Sequence, residues 1–254
     1  MIQLYAHPAS QPSRAVIWAC VIEQLPIVLN ADPTVEGVSL RGQIPVLQDD
    51  DFQLTEMSAI LSYLATKYEW LSLYPQELQT QARISQYLHL HHSLTRLATT
   101  KLMAPHVLVV FGGVPTANPL SHINNTMIQA AMDDPDNLRH SQDLLHQLVE
   151  FIEKAYLQDQ DFIAGTRQAT IADIACYEEL GQLPWANLLD LSAHPAVYRW
   201  TQRMCDLPEH DAVHLYNTTL GDVCRTPNTM ERFSQAIVAG MSALEAIDCI
   251  TLST

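Results

Sequence analysis

All the strand-like runs of this chain fall within its first 75 residues, and this segregation restricts the folds open to it more than any single motif does. Ile2-Gln3-Leu4-Tyr5-Ala6 reads as a short apolar strand, followed by a helix to about Glu23. Pro26-Ile27-Val28-Leu29 is a second short apolar run ahead of a turn-rich stretch from Asn30 to Gly42. Ile44-Pro45-Val46-Leu47 and Phe52-Gln53-Leu54-Thr55 flank an acidic turn at Asp49 to Asp51, which is the pattern of a hairpin. Ile60, Leu61, Leu64, Ala65 and Tyr68 share one face of a helix predicted over Met57–Tyr68, and Pro75 marks a linker. Beyond it the periodicity is helical: Gln79 to Met103, broken by Pro105, then Leu138 to Leu157, Ile171 to about Gln182, His194 to Met204 and Asn228 to Ala246. The 107–137 stretch, with Gly112-Gly113, Pro115, Pro119 and Pro135, is expected to be partly a long loop. A small α/β unit followed by an all-helical unit is the expected architecture, divided as 1–75, 76–222 and a helical extension over 223–254.

The first loop carries the most chemical information. Ser10 precedes Pro12 at the start of a helix, where the missing N–H of proline costs nothing. Free N–H groups and partial positive charge at that helix end favour an anion. Ser10 therefore reads either as a helix cap or as a hydroxyl that stabilises an anionic ligand atom. Further along, Thr170-Ile171-Ala172-Asp173 has the form of a capping box with Asp in place of Glu.

Charge excludes several partner classes. The chain carries a formal charge of −15, which repels nucleic acid and anionic lipid alike, so neither is expected as a partner. An anionic ligand then needs a local site built from arginine, helix N-termini or backbone amides. No run approaches the roughly 18 apolar residues of a membrane span, and the first residues lack a secretory pattern, so a cytoplasmic protein is expected. The 5 cysteines are widely spaced and form no CxxC, which argues against a disulfide framework or a structural zinc site. Cys20 and Cys176 read as buried small hydrophobes, and Tyr5, Trp18 and Tyr63 as core or interface residues. His89 and His92 sit three apart on a predicted helix with His91 turned elsewhere; no third ligand follows, so His89 to Arg96 reads as polar lining of a pocket or of a dimer face.

Taken together, Ser10-Gln11-Pro12-Ser13-Arg14-Ala15, Gln43-Ile44-Pro45, Leu54-Thr55-Glu56 and Phe162-Ile163-Ala164-Gly165…Thr170-Ile171-Ala172-Asp173 resemble the glutathione transferase superfamily, nearest its serine-type theta class, over residues 1 to about 222. The resemblance implies an N-terminal thioredoxin-like α+β domain and a helical domain that supplies the second substrate's pocket. It implies glutathione as co-substrate, a small hydrophobic electrophile as the other substrate, and a homodimer. By this likeness Ser10 donates to the glutathione sulfur, with Ser13 as the neighbouring alternative, and Arg14 either compensates charge near the thiolate or forms a surface ion pair. Pro45 stands where the family has a cis-proline, which exposes the backbone of Ile44 beside Gln43 to pair with the ligand's peptide. Glu56, Met57 and Ser58 start the helix that faces the γ-glutamyl carboxylate.

Two departures accompany the likeness. Met57 stands where the family usually has Ser or Thr, and Met offers no donor; Ser58 is one position on, about 100° around the helix. Only 18 residues separate Pro26 from Pro45, and Arg41 is the single basic residue between Asn30 and Gly42. The alternative these departures suggest is a non-catalytic transferase-fold scaffold with a degenerate glutathione site.

Overall fold

The structure, a computed structural model, describes residues 2–31, 39, 42–111, 133 and 136–253. Arg41 and most of the 107–137 stretch lie outside the described residues.

Strand β1 (Ile2–Tyr5) leads through α1 (Gln11–Ile22) to β2 (Ile27–Asn30), which lies parallel to it. β3 (Val46–Asp49) runs antiparallel to β1 and turns at Asp50-Asp51 into β4 (Phe52–Thr55), the expected hairpin, before α2 (Met57–Lys67). In this register Leu4 lies opposite both Leu29 and Leu47, and all three are fully buried. Strand alternation explains the match, since residues two apart share a face.

The helical unit follows. It comprises α3 (Leu78–Leu90), a π-helical turn at His91–Thr95, α4 (Arg96–Val107), a 3-10 turn at Leu108–Phe111, α5 (Asn137–Ile152) and a second π turn at Glu153–Leu157. α6 (Ile171–Leu180), α7 (Gln182–Trp185), α8 (Pro195–Cys205), α9 (His210–Val213), α10 (Leu215–Leu220) and α11 (Met230–Glu245) complete it. Pro105 does not end its helix where the sequence suggested. α4 continues to Val107, because the loss of one N–H near the C-terminal turn is offset by burial of Leu102, Met103 and Ala104.

The tail overturns a second expectation. Strand structure returns at the far end as β5 (Ile250–Leu252), which lies parallel to β2 and gives the sheet order β4-β3-β1-β2-β5. Ile27 N–H donates to the Cys249 carbonyl at 2.9 Å and Ser253 N–H to the Leu29 carbonyl at 2.9 Å. The 223–254 segment is therefore helix plus strand, and it covers an edge of the N-terminal sheet that otherwise presents unpaired backbone groups.

α1 is buried on every side from Ser13 to Val21 because it packs against α2, α6 and α9. Its one charge, Arg14, has no exposure at all. Arg14 Nε donates to Glu178 Oε2 at 2.7 Å, Nη1 to the Pro8 carbonyl at 2.7 Å and Nη2 to Gln182 Oε1 at 3.2 Å. Glu178 Oε1 also meets His214 Nε2 at 2.9 Å. Arg14 is thus neither a surface ion pair nor a group facing a ligand: it ties the loop before Ser10 to α6. Burial alone pushes the Glu178 carboxyl up, but the charges and hydrogen bonds of His214 and Arg14 outweigh it and hold the group below the usual carboxylate range.

The capping box forms as expected. Thr170 N–H and Oγ both lie 2.8 Å from Asp173 Oδ2, while Asp173 Oδ1 accepts from Ile163 N–H at 2.8 Å and Trp200 Nε1 at 3.0 Å. One carboxylate so joins the 162–165 turn, α6 and α8. Trp18 is fully buried with its indole N–H on the Pro208 carbonyl.

Removing one partner of a buried ion pair leaves the other uncompensated. Arg14→Met is expected to lower unfolding free energy in urea by about 3–5 kcal/mol. Because the Glu178 carboxyl is held low in the fold, its stabilisation is fully present above the unfolded carboxyl value of about 4.3 and is lost as pH falls below it. Glu178→Gln is expected to flatten that acid limb.

Candidate functional site

The N-terminal unit gathers most of the sequence-marked residues around one cleft. The Ile44–Pro45 peptide is cis. Gln43, Ile44 and Pro45 form one wall of a cavity of about 500 Å³, and Thr55, Glu56, Met57 and Ser58 form another. Gln43 N–H donates to Ser39 Oγ at 3.1 Å, which fixes the approach to Ile44. Glu56 sits at φ 71, a left-handed conformation that costs on the order of 1–3 kcal/mol for a non-glycine residue and clusters at ligand sites. It directs α2 so that the helix start faces the cavity. The Glu56 side chain makes no cap hydrogen bond to that helix. Its first backbone N–H groups therefore remain as donors for an anion. The Met57 side chain is buried in the core, 7% exposed, while Ser58, expected to point about 100° away, does border the cavity.

Ser10 caps α1, accepting from Ser13 N–H at 3.4 Å. It walls neither cleft cavity, but its neighbours do. Pro12 lines the first, whereas Ala9 and Gln11 line a second of about 190 Å³. Arg96 and Leu108 border both, so Ser10 stands where the two adjoin. Ser13 is fully buried, its Oγ without a hydrogen-bond partner, and lines neither cavity. Of the nine residues marked from sequence, six line the first cavity, Ser10 lies between residues that line the two, and Ser13 and Arg14 are buried behind it.

The opposite wall of the first cavity comes from the helical unit. A π turn inserts one residue into the helical phase and so re-aims the side chains that follow. In consequence His91 and His92 both border the cavity, while His89 stays outside on the α3 surface with Nδ1 on the Ser85 carbonyl at 2.8 Å. His91 is only 2% exposed, and neither ring nitrogen has a hydrogen-bond partner among the described residues. Burial pushes it down to about 4, against the pull of Glu179 and with Arg96 and His92 adding to the effect. Arg96 Nη1 donates to Glu179 Oε1 at 2.8 Å and to Gln11 Oε1 at 3.2 Å, which orients the guanidinium between the cavities.

The second cavity is lined by Ala9, Met103, Ala104, Val107 and Leu220, with Thr100, Tyr216 and Asn217 also on its surface. Thr100 Oγ1, Tyr216 Oη and Asn217 Nδ2 are buried without hydrogen-bond partners among the described residues. Sequence reading missed them because they come from α4 and α10, far from Ser10 in the chain, and carry no local motif.

Comparison with known proteins identifies the family to which the chain belongs. The model of the glutathione S-transferase N-terminal domain matches residues 4–75, and that of the glutathione S-transferase C-terminal domain matches residues 128–208. Human glutathione S-transferase theta-2 is 31% identical over 216 residues, covering 80% of each chain. The chain belongs to the glutathione S-transferase family. Bovine glutathione S-transferase theta-1 is 30% identical over 217 residues, 80% of this chain and 82% of its own. The crystal structure of human glutathione transferase theta-2 in complex with glutathione and an unknown ligand superposes with a TM-score of 0.71 at 25% identity, covering 97% of this chain and 100% of that one. The apo form of human glutathione S-transferase T1-1 gives 0.70, again at 25% identity, over 97% and 99%. Within the glutathione S-transferases the chain is theta-like.

His91 supplies a pH signature for the cleft. Its folded value lies below the ordinary histidine value of about 6.5, so the unfolded chain binds the extra proton and stability falls as pH drops from about 6.5 towards 4. Over that window wild type is expected to lose up to about 1.4 kcal/mol per pH unit relative to His91→Leu in urea unfolding.

Proposed function

We propose that Ser10 donates its hydroxyl proton to the sulfur of glutathione and holds it as a thiolate for attack on a small, soft electrophile. The observation that carries this reading is the cap geometry. Ser10 Oγ accepts from Ser13 N–H, and among the described residues its own proton goes to no protein group. A hydroxyl used as acceptor by the helix is still a donor towards an anion. A free thiol near pKa 8.5 is only a few per cent ionised at pH 7, and each unit of lowering corresponds to about 1.4 kcal/mol in favour of the anion. The α1 N-terminus behind Ser10 acts in the same sense.

In this reading the ligand's peptide pairs with the Ile44 backbone as an added strand, and its γ-glutamyl carboxylate lies on the N–H groups that open α2, with Ser58 alongside. Gln43 and Pro45 shape the first cavity and Glu56 aims the helix. Ser13 and Arg14 position the turn rather than touch the ligand. The second cavity receives the electrophile: its size limits that molecule to a few heavy atoms, and the unpartnered Thr100, Tyr216 and Asn217 groups suit one with a polar atom. Conjugation, dehalogenation and peroxide reduction all use this layout. The scaffold alternative draws no support from the relatives above, each named a glutathione transferase.

We extend the reading to a cytoplasmic homodimer. No helix among the described residues is long and apolar enough to cross a membrane, and large apolar side chains at Phe52, Leu71 and Leu78 are exposed in the single chain, as a pairing surface requires. Light scattering is expected to give twice the chain mass; the mass of one chain contradicts the pairing.

Ser10→Ala is expected to lower kcat by about 10²-fold, the loss typical of a single anion-stabilising donor, with calorimetric affinity for glutathione nearly unchanged. Unchanged turnover in Ser10→Ala removes the role assigned to it, and absence of binding at millimolar glutathione in wild type overturns the glutathione reading itself.

A further inference from the structure

A third cavity, of about 580 Å³, opens in the helical unit among α6, α7 and α8, apart from the glutathione cleft. Trp185, Leu189, Leu191 and Tyr198 make its walls mostly apolar, and Tyr177 and Cys205 also face it. Cys205 is exposed and free. Its thiol lies 3.4 Å from the Tyr177 hydroxyl, which in turn lies 2.7 Å from His210 Nε2. On the far side of the ring, His210 Nδ1 sits 2.8 Å from Asp211 Oδ1.

These contacts fix the direction of the hydrogen bonds. A carboxylate only accepts, so His210 Nδ1 carries the proton and Nε2 is left as acceptor. The Tyr177 hydroxyl then donates to Nε2, and its oxygen accepts from the Cys205 thiol. His210 is buried, 5% exposed, and stacks against His214 at 4.5 Å, which keeps the ring in place.

We propose that Cys205 is a covalent acceptor for soft, apolar electrophiles, with the third cavity as their binding chamber and Tyr177 and His210 as the outlet for the thiol proton. In the step, the Cys205 sulfur forms a bond to the electrophilic carbon while the leaving group departs with its bonding pair. The thiol proton passes to Tyr177 as the Tyr177 proton passes to His210 Nε2, and the resulting imidazolium, facing Asp211, releases a proton to solvent. No oxidant is required.

The other four cysteines differ. Burial pushes Cys20 and Cys176 far up, and Cys224 and Cys249 are raised as well. His210, and Tyr177 between them, hold the Cys205 thiol below its ordinary range against the effect of burial and of Asp211. Reactivity follows the thiolate fraction together with access.

The folded protein treated at neutral pH with substoichiometric monobromobimane, each cysteine being followed by peptide mass mapping, tests this. Cys205 is expected to be labelled about tenfold faster than Cys224 or more, since its thiol alone combines access to the cavity with a relay for its proton. With iodoacetamide, which is compact and polar, the lead is expected to shrink. Tyr177→Phe keeps the ring in the core but removes the relay, and slows Cys205 labelling. Gln202→Trp fills the cavity from an exposed position and slows monobromobimane while sparing iodoacetamide, a readout that does not depend on the core variant folding. Equal monobromobimane rates at Cys205 and Cys224, or the same lead with both reagents and in Gln202→Trp, overturns the proposal.

Discussion

The buried Arg14–Glu178 pair is the interaction on which the site depends. It joins α1, which carries the Ser10 turn at its head, to α6 in the centre of the helical unit, and its third arm holds the Pro8 carbonyl two residues before Ser10. Two charges removed from water are stabilising only where geometry and extra hydrogen bonds compensate their desolvation. Here every face of the pair is engaged, by Pro8, Gln182 and His214. The pair therefore acts less as a source of net stability than as a device that permits one placement of the turn. A catalytic donor must be held to a fraction of an ångström, and an all-apolar contact between α1 and α6 would leave that placement less well defined.

Around this anchor the cleft is assembled from groups of different chemical kind. The Ile44 backbone offers strand-like pairing, the uncapped start of α2 offers N–H donors, and the π turn at His91–Thr95 brings two histidines to the opposite wall. Arg96, held by Glu179 and Gln11, borders both the larger cavity and the smaller one. The chain's strong negative charge makes such local construction necessary, since the surface as a whole repels an anionic ligand.

Legibility in the sequence followed the range of the interactions. Ser10-Gln11-Pro12, Ile44-Pro45 and Thr55-Glu56 are short-range signatures of a helix start, a strand start and a helix entry, and the structure gathers them around one cleft. Arg14 could not be read correctly, because its partner lies 164 residues away and nothing near it in the chain announces burial. The Ile250–Leu252 strand was invisible for a related reason: three residues are too few for alternation, and their pairing with β2 spans the whole chain. His91, His92 and Arg96 border the cavity, in keeping with a polar lining, whereas His89 faces outward. The departure at Met57 is a local feature of the sequence, but that Ser58 borders the same wall depends on how α2 is set in the fold.

The central claim is that the Ser10 hydroxyl stabilises a bound thiolate, and the ultraviolet absorbance of that thiolate measures it directly. Glutathione bound to wild type, titrated with pH, should ionise well below the free thiol value of about 8.5, and in Ser10→Ala its ionisation should return towards that value. Bound glutathione that ionises at the same pH in both proteins contradicts the account.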